Sequence, residues 1–535
     1  MKNKHIIYAT LVLVSALSLA SCTKTDFDDN YYDPERSVYA DVPKLFTGLL
    51  YNHDRRSAHN IFPRYFHFFT FRVPMLGTYS QTYGYQSANG RYEQNPAYTQ
   101  DYWSLFYTSY VASYRELQRH IEASSPEEQE GYRLFQETAN IFFYDQATQV
   151  VDMWGDIPFF EAGQLVQSGG VIRNAPFDSQ EEIYSFILND LKRIADWLNT
   201  AEITPFYKSM FNGADILNEG DIEGWKIYAN SLRLRLAMRI SYQNDAKARE
   251  IAAEIINNPS VYPIITNNQN SVKIDARGDQ LRSVVVDDGA GIRGGLESGG
   301  RNIAPGVMIN EYMNPANDPR LYAMFSRNRE GQYRGLDPTL TSTQQADLIS
   351  ANMISRLDSA TYSTNDKYPG ILITAAEISF FKAEAAERWG VGNAAEEYER
   401  GIRQSIDFIY YINSLNDNAD GTSYTPKTPP TPAAINAFLS HNLIRYEGSQ
   451  EERLEKIGIQ RWINFGVMQA HQAWAEYRRT KYPALTFSRD NNSVQAPEPP
   501  NRLLYPENER MYNAENYNAV RAYDTPQNKV FWDVK

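Results

Sequence analysis

The sequence predicts a mostly α fold: helical hairpins stacked into an α-α superhelical repeat scaffold, broken by a long loop-rich insertion and closed by a C-terminal wrapping tail. Three observations predict it. Apolar residues recur with a 3.6-residue period in two blocks, about 42–258 and 372–480. Helix start and stop signals bracket those stripes. Between the blocks, 259–371 turns to Asn, Gly, Asp and Pro, with seven glycines from Gly289 to Gly306, which reads as an irregular insertion with short strands. Loops of that length are uncommon unless they carry function.

In the first block, Phe106, Tyr110, Leu117 and Ile121 share one helix face, and Phe135, Ala139, Phe142 and Val150 another. Ser179 with Glu182 reads as a capping box ahead of Ile183, Ile187, Leu191, Ile194 and Leu198. Trp225, Ala229, Leu232, Leu236 and Ile240 make a further stripe, and Asp245 restarts a helix that Asn257, Asn258 and Pro259 end.

In the second block, ILITAAEISFFKAEAAERWG (371–390) is rich in Ala and Glu and stops at Gly390. Asn393 and Glu396 form an Asn variant of the capping box before Tyr398, Ile402, Ile406 and Ile409. Ser449 and Glu452 cap a long helix with Leu454, Ile457, Phe465 and Met468 inward. AEAAERWGVGNAAEEYERGI spaces its Ala, Glu, Gly and Tyr much as a tetratricopeptide repeat does. SLRLRLAMRISYQNDAKAREIAAEII is a second helix–turn–helix, without a strict period, so the repeats are degenerate. From Pro483 to Lys535 the chain is rich in Pro and Asn and is expected to wrap the surface with few helices.

The amino terminus reads as a targeting segment. Lys2 and Lys4 precede the apolar run Ile6–Ala20, and small residues lead to Cys22, the only cysteine. The run is shorter than the roughly 20 residues a membrane helix needs. Leu19-Ala20-Ser21-Cys22 resembles a bacterial lipoprotein box, which implies cleavage before Cys22 and acylation of that residue. The alternative is an ordinary exported protein with a stray cysteine. At about 0.8 kcal/mol per buried CH2, two or more acyl chains make a stable membrane anchor. Cys22 would then be a tether rather than a nucleophile or ligand. The acidic, aperiodic TKTDFDDNYYDPERS that follows reads as a solvated linker, giving a tether over 22–41, and resembles the surface-export signal of Bacteroidetes lipoproteins.

Charge and motifs narrow the function classes. Lys and Arg number 52 against 65 Asp and Glu, a net charge of −13, with no basic block or stripe, so nucleic acid is not an expected partner. GAGIRG (289–294) matches the dinucleotide glycine pattern, but the later glycines and Pro305 predict no helix to receive a phosphate. NDNADG (416–421) hints at a calcium loop, yet its twelfth position is Lys427 where a bidentate Glu is required. One cysteine and seven histidines without HExxH offer no zinc site, and no G-x-S-x-G elbow appears. No catalytic residue, metal or cofactor is expected.

Tyrosine is the compositional outlier, 38 residues beside 25 Phe and 8 Trp. In MLGTYSQTYGYQSANGRYEQNPAYTQDYW (75–103), Tyr79, Tyr83, Tyr85, Tyr92 and Tyr98 sit among Gly, Ser, Gln and Asn without aliphatic partners. Such a segment reads as a loop whose rings could stack on sugars, with Arg72, Gln81, Gln86 and Asn89 bonding hydroxyls. Equally, the rings could pack onto the scaffold beneath. Tyr312 and Tyr333 in the insertion form a second set.

Together these features resemble the SusD/RagB family of Bacteroidetes outer-membrane lipoproteins, on its SusD-like branch. The leader and Cys22 fit; MWGDIPFFEA (153–162) is similar to the family's aromatic-Gly-Asp-x-Pro turn, and ITAAEISFFKAEAAERWG to its repeat helix. IGIQRWINFGVMQAHQAWAEYRRTKYPAL (457–485) and the closing NRLLYPENERMYNAENYNAV…VFWD extend the match nearly end to end. Locally, Gly155 permits a turn, Pro158 blocks a restarting helix, and Arg478 and Arg479 are expected to pair with carboxylates.

The resemblance implies a lipid-anchored protein on the outer membrane facing the exterior. It would capture a nutrient, commonly an oligosaccharide, and act as a lid over a TonB-dependent SusC-like barrel. The family's ligand residues follow no motif, so none carries over. A surface hydrolase and a peptide-binding or scaffold lipoprotein on the same repeats stand as the alternatives.

Overall fold

The computed structural model describes residues 41–51, 61, 65–85, 89–276, 292–300, 302–365, 367–416 and 424–535. The leader, Cys22 and nearly all of the tether lie outside these residues, as do Gln86, positions 289–291 of GAGIRG and 417–421 of NDNADG.

The fold is mostly helical, as the periodicity predicts. The first block runs α1 (Val42–Tyr51), a π-helical stretch Phe68–Gly77, α2 (Pro96–Leu105), α3 (Ala112–Glu122), α4 (Pro126–Trp154), α5 (Gln180–Thr200), α6 (Pro205–Ala214), α7 (Ile222–Arg239) and α8 (Asp245–Asn257). Sequential helices pair as hairpins, α3 with α4 and α7 with α8, while α7 also packs on α5. Every residue of α7 from Tyr228 to Arg239 is buried, the mark of a helix enclosed on all sides.

Two local signals decide how α4 and α5 begin. Ser125 and Glu128 form a full capping box with Pro126 at the first helical position, opening the 29-residue α4. Ser179, read from the sequence as a cap, makes no capping bond. Asp156, across the turn, instead accepts the Gln180 N–H at 3.0 Å. Gly155, at φ +82°, allows that turn, and Asp178 closes it by accepting the Phe159 and Phe160 N–H groups.

The second block runs from β4 (Gly370–Ile373) through α11 (Ala375–Trp389), α12 (Ala394–Ser414), α13 (Pro432–Leu439), α14 (Gln450–Phe465) and α15 (Ala470–Thr480). Helices α11 and α12 form the tightest hairpin: a Cβ on Gly401 would lie 2.7 Å from the Phe380 ring. Gly390 ends α11 in the left-handed region, the Asn393 side chain caps α12, and Ser449 with Glu452 boxes α14. The long helix expected through Met468 is broken. Gly466 adopts φ +48°, α14 stops, and Met468 sits buried in the turn before α15.

The insertion is pinned at its base where β1 (Val272–Ile274) pairs antiparallel with β4. Within it, β2 (Phe325–Ser326) pairs with β3 (Arg356–Leu357), and Ile303, Leu336 and Ile354 make a small apolar cluster of their own. Contrary to expectation, a short helix α9 (Ile292–Glu297) does follow the GAGIRG glycines. Gly295, just after the motif, lies against Phe68, where a Cβ would come within 2.7 Å, so this glycine serves close packing. A further helix, α10 (Ser342–Ser350), flanks the cluster.

The tail does more than wrap the surface. It contains α16 (Glu507–Tyr512) and α17 (Ala514–Val520) and drives Leu503, Val530 and Trp532 into the core. The Trp532 indole N–H donates to Asp152 Oδ1 at 2.9 Å. Of the two arginines expected to meet carboxylates, Arg479 does so. Arg478 instead donates to the Asn501 and Asp152 carbonyls and stacks 3.7 Å from the Trp474 ring centroid. Among the described residues no helix is long and apolar enough to cross a membrane.

Candidate functional site

The tyrosine loop forms no exposed platform. Tyr79, Tyr83, Tyr85 and Tyr92 are all buried, at 8 % exposure or less. Their partners come from distant segments. Tyr79 packs 5.4 Å from Trp474 and donates to the Tyr92 carbonyl, while Tyr92 donates to the Ser488 carbonyl at 2.9 Å. The Tyr85 hydroxyl lies 3.3 Å from that of Tyr92, and burial pushes its pKa far above the ordinary phenol range. Gly84 donates to the Ile303 carbonyl at 3.0 Å and is pressed so closely there that a Cβ would sit 2.3 Å from the Ala304 oxygen. A polar-looking loop is thus clamped between α15, the tail and the insertion.

Arg72 is also internal. Its guanidinium lies 5.2 Å over the Phe68 ring and donates to the Met468 carbonyl, and burial lowers its pKa to about 10. Gln81 is spent on the Thr486 carbonyl at 2.7 Å, whereas Asn89 stays exposed beside Asn492. Tyr98 is half-buried against Phe66, and Tyr312 is half-buried edge-on to Trp462. Of the two tyrosines predicted in the insertion, Tyr333 is likewise half-buried, with part of its ring open to solvent.

Tyr333 belongs to a different aromatic surface. Tyr322, on the one-turn helix Leu321–Met324, is 51 % exposed. It lies near enough to Tyr333 for the two phenols to interact electrostatically; burial raises the Tyr333 pKa and Arg327 opposes the rise. The Arg327 guanidinium sits 4.9 Å over the Tyr333 ring and donates to the Gly331 carbonyl at 2.6 Å. The Lys427 ammonium lies 4.9 Å from the Tyr322 ring, donates to the Tyr322 carbonyl and pairs with Asp358. Nearby, the buried Tyr410 donates its hydroxyl to the Pro319 carbonyl at 2.9 Å.

The loop that carries this surface is held in shape. Asn328 is buried, and its Oδ1 accepts the Glu330 and Gln332 N–H groups while its Nδ2 donates to the Met353 carbonyl. Gly331 takes φ +76° at the bend, and Asn310 brackets Gly335 with one bond to its carbonyl and one from its N–H. The result is two aromatic faces with polar tips beside a guanidinium and an ammonium, on backbone fixed in advance of any ligand. That combination suits stacking on a sugar ring with hydrogen bonds to its hydroxyls.

Sequence reasoning reached Tyr333 but missed Tyr322, Arg327 and Lys427. The turn signal in Asn328–Gly331 was available, but Lys427 lies 105 residues from Tyr322 and only folding joins them. Among the described residues, no group of three or more His, Cys, Asp or Glu is placed to hold a metal ion, and Asn416 of the calcium-like motif donates to the Ala360 carbonyl.

Residues 41–506 match the SusD-like family profile described as "Starch-binding associating with outer membrane". Among solved structures, a SusD homolog from Bacteroides fragilis superposes with a TM-score of 0.69 at 22 % identity, covering 92 % of this chain and 100 % of its own. A SusD homolog from Bacteroides uniformis gives 0.67 at 24 %, covering 92 % and 99 %. A chitin-binding SusD homolog from Flavobacterium johnsoniae gives 0.66 at 20 %, covering 92 % and 98 %. These identities speak to fold alone. No curated protein sequence matches the chain. With the family profile spanning most of its length and the helical-repeat architecture shared throughout, this chain belongs to the SusD-like family of outer-membrane nutrient-binding proteins.

Proposed function

We infer that this protein captures an oligosaccharide on the Tyr322–Tyr333 surface at the cell exterior and passes it to a TonB-dependent SusC-like barrel, itself held to the outer membrane by acyl chains on Cys22. The observation that carries the reading is the 51 % exposure of Tyr322 beside half-open Tyr333 and Arg327 on a loop that Asn328 locks. Aromatic faces left open on rigid backbone lose little ordering entropy on binding, which favours a ligand with a flat C–H face and polar edges. The family's starch-binding description and the chitin-binding relative support a glycan as that ligand. The protein acts by capture, leaving the glycan uncleaved.

The test is affinity electrophoresis of the mature chain without Cys22, through gels holding a panel of soluble polysaccharides. Retardation by one polymer, lost in Tyr322→Ala and returned uncleaved, is the expected result. No retardation by any glycan would overturn the reading. For the partner, the full lipoprotein purified from outer membranes is expected to bring a barrel with it, and its recovery alone would remove the transport half.

A further inference from the structure

A separate cleft opens between residues 92–96 and the tail segment 495–526, with a volume of about 160 Å3. Tyr92, Ala496, Tyr505 and Pro506 form its inner wall, and Arg502 lies among them. None of these residues belongs to the Tyr322–Tyr333 surface.

Arg502 is the unusual member. It is only 3 % exposed, yet its Nε reaches nothing better than the adjacent Leu503 carbonyl at 3.3 Å. Its guanidinium lies 4.6 Å from the Tyr505 ring, and its Nη2 is buried without a hydrogen-bond partner. Of the other enclosed arginines, Arg235, Arg320, Arg461 and Arg479 each contact a carboxylate, whereas Arg478, with no carboxylate either, has both ends of its guanidinium engaged by the Asn501 and Asp152 carbonyls. Of the two acids that line the cleft, Glu93 accepts the Ser493 hydroxyl and Glu507 pairs with Arg510 at 3.6 Å, and the nearby Asp524 is engaged by Arg510 and the Tyr505 N–H. Among the described residues, then, no carboxylate pairs with Arg502.

A buried guanidinium without a counter-charge is costly to keep, and a carboxylate is the group its planar fork matches. The volume is close to that of an engineered cavity of about 150 Å3 that accepts benzene, so one six-membered ring fits. Tyr505 and Pro506 in the cleft wall give apolar contact for the C–H side of such a ring. We propose that this cleft binds a single carboxylate-bearing pyranose, a uronate unit, with Arg502 gripping its carboxylate. The sugar class rests on the glycan reading above, whereas the carboxylate preference rests on Arg502 alone.

The experiment is calorimetric titration of the mature chain with sodium galacturonate and, separately, with methyl galactoside. A charge-assisted pair predicts about tenfold or greater preference for the uronate. Arg502→Met is expected to abolish that preference while melting at the same or a higher temperature, since it removes an unpaired buried charge. A merely structural Arg502 would instead lower the melting temperature. Should that variant not fold, Ala496→Leu, which fills the cleft, is expected to block the uronate. Equal binding of both sugars, no uronate binding, or uronate binding that survives both variants overturns the proposal. Tyr322→Ala leaves uronate binding intact, so loss of polysaccharide retardation and loss of uronate binding are read independently.

Discussion

Arg479 of α15 and Glu384 of α11, 95 residues apart in sequence, meet fork to fork, each guanidinium amino group donating to one carboxylate oxygen at 2.6 Å. Glu476 pairs with the same arginine, and Arg461 of α14 bridges Glu384 and Glu476 at 2.8 Å each. All four side chains are buried. Burial alone would raise the Glu384 carboxyl, but Arg479 and Arg461 outweigh it and hold it well below the usual carboxylate range. The same balance lowers Glu476. This ring of charge locks three helices of the second block at one angle, the local role of the Arg-Arg-Thr stretch.

Removing one member leaves the others uncompensated. Glu384→Gln is expected to cost about 3–5 kcal/mol of stability, the usual penalty for breaking a buried pair. Urea unfolding would measure it, and a loss under about 1 kcal/mol would show that water or relaxation rescues the arginines.

The same ring sets an acid limit. Glu384 has a depressed pKa in the folded state, so its contribution is complete above its ordinary value of 4.5 and is lost as pH falls through the folded value. Glu377, raised by burial despite Arg235, acts in the opposite sense, because its protonation favours the folded state. Stability is therefore expected to fall chiefly below the ordinary carboxylate range, and Glu384→Gln to flatten that fall. Identical pH profiles for wild type and variant would refute the assignment.

Tyrosine environment separates core from surface. Tyr85→Ala is expected to cost about 3–5 kcal/mol, like other large aromatic deletions in a core. Tyr322→Ala should stay within about 0.5 kcal/mol, as exposed substitutions do. Thermal melts of the two variants, side by side, check the contrast.

Trp532 anchors the tail three residues from its end. Trp532→Ala removes a fully buried indole and the N–H that Asp152 accepts. A loss of about 3–5 kcal/mol is expected. Limited proteolysis should then nick the tail after Pro483 faster than in wild type, and an unchanged cleavage rate would mean that Leu503 and Val530 suffice.

Capping distinguishes two neighbours. Asp156→Ala should destabilise by about 1 kcal/mol through the lost bond to Gln180, while Ser179→Ala should be nearly neutral. The reverse order in denaturant midpoints would restore Ser179 as the cap.

The predictions that came true from sequence share one property: their interactions lie within a few residues. The stripe Ile183–Leu198, the stop at Gly390, the Asn393 cap and the box at Ser449 depend on hydrogen bonds three or four residues long. Gly466 shows the limit, because a 3.6-residue stripe continues to Met468 while one residue at positive φ ends the helix beneath it.

By itself the sequence determined the helical class, the presence of short strands in the insertion and the family resemblance, all written in local periodicity, composition and motif. Only the tertiary structure decided which tyrosines face water. A tyrosine carries an apolar ring and a polar tip, so its neighbours in sequence are the same whether it binds or packs. Tyr79, Tyr85 and Tyr92 went inside because Trp474, Ser488 and Ile303 arrive from far along the chain to enclose the loop. Tyr322 stayed outside, and Lys427 joined it, because Asn328 and Asp358 hold the insertion's bend at the surface. Burial is a sum over distant neighbours, and that sum exists only once the chain has folded.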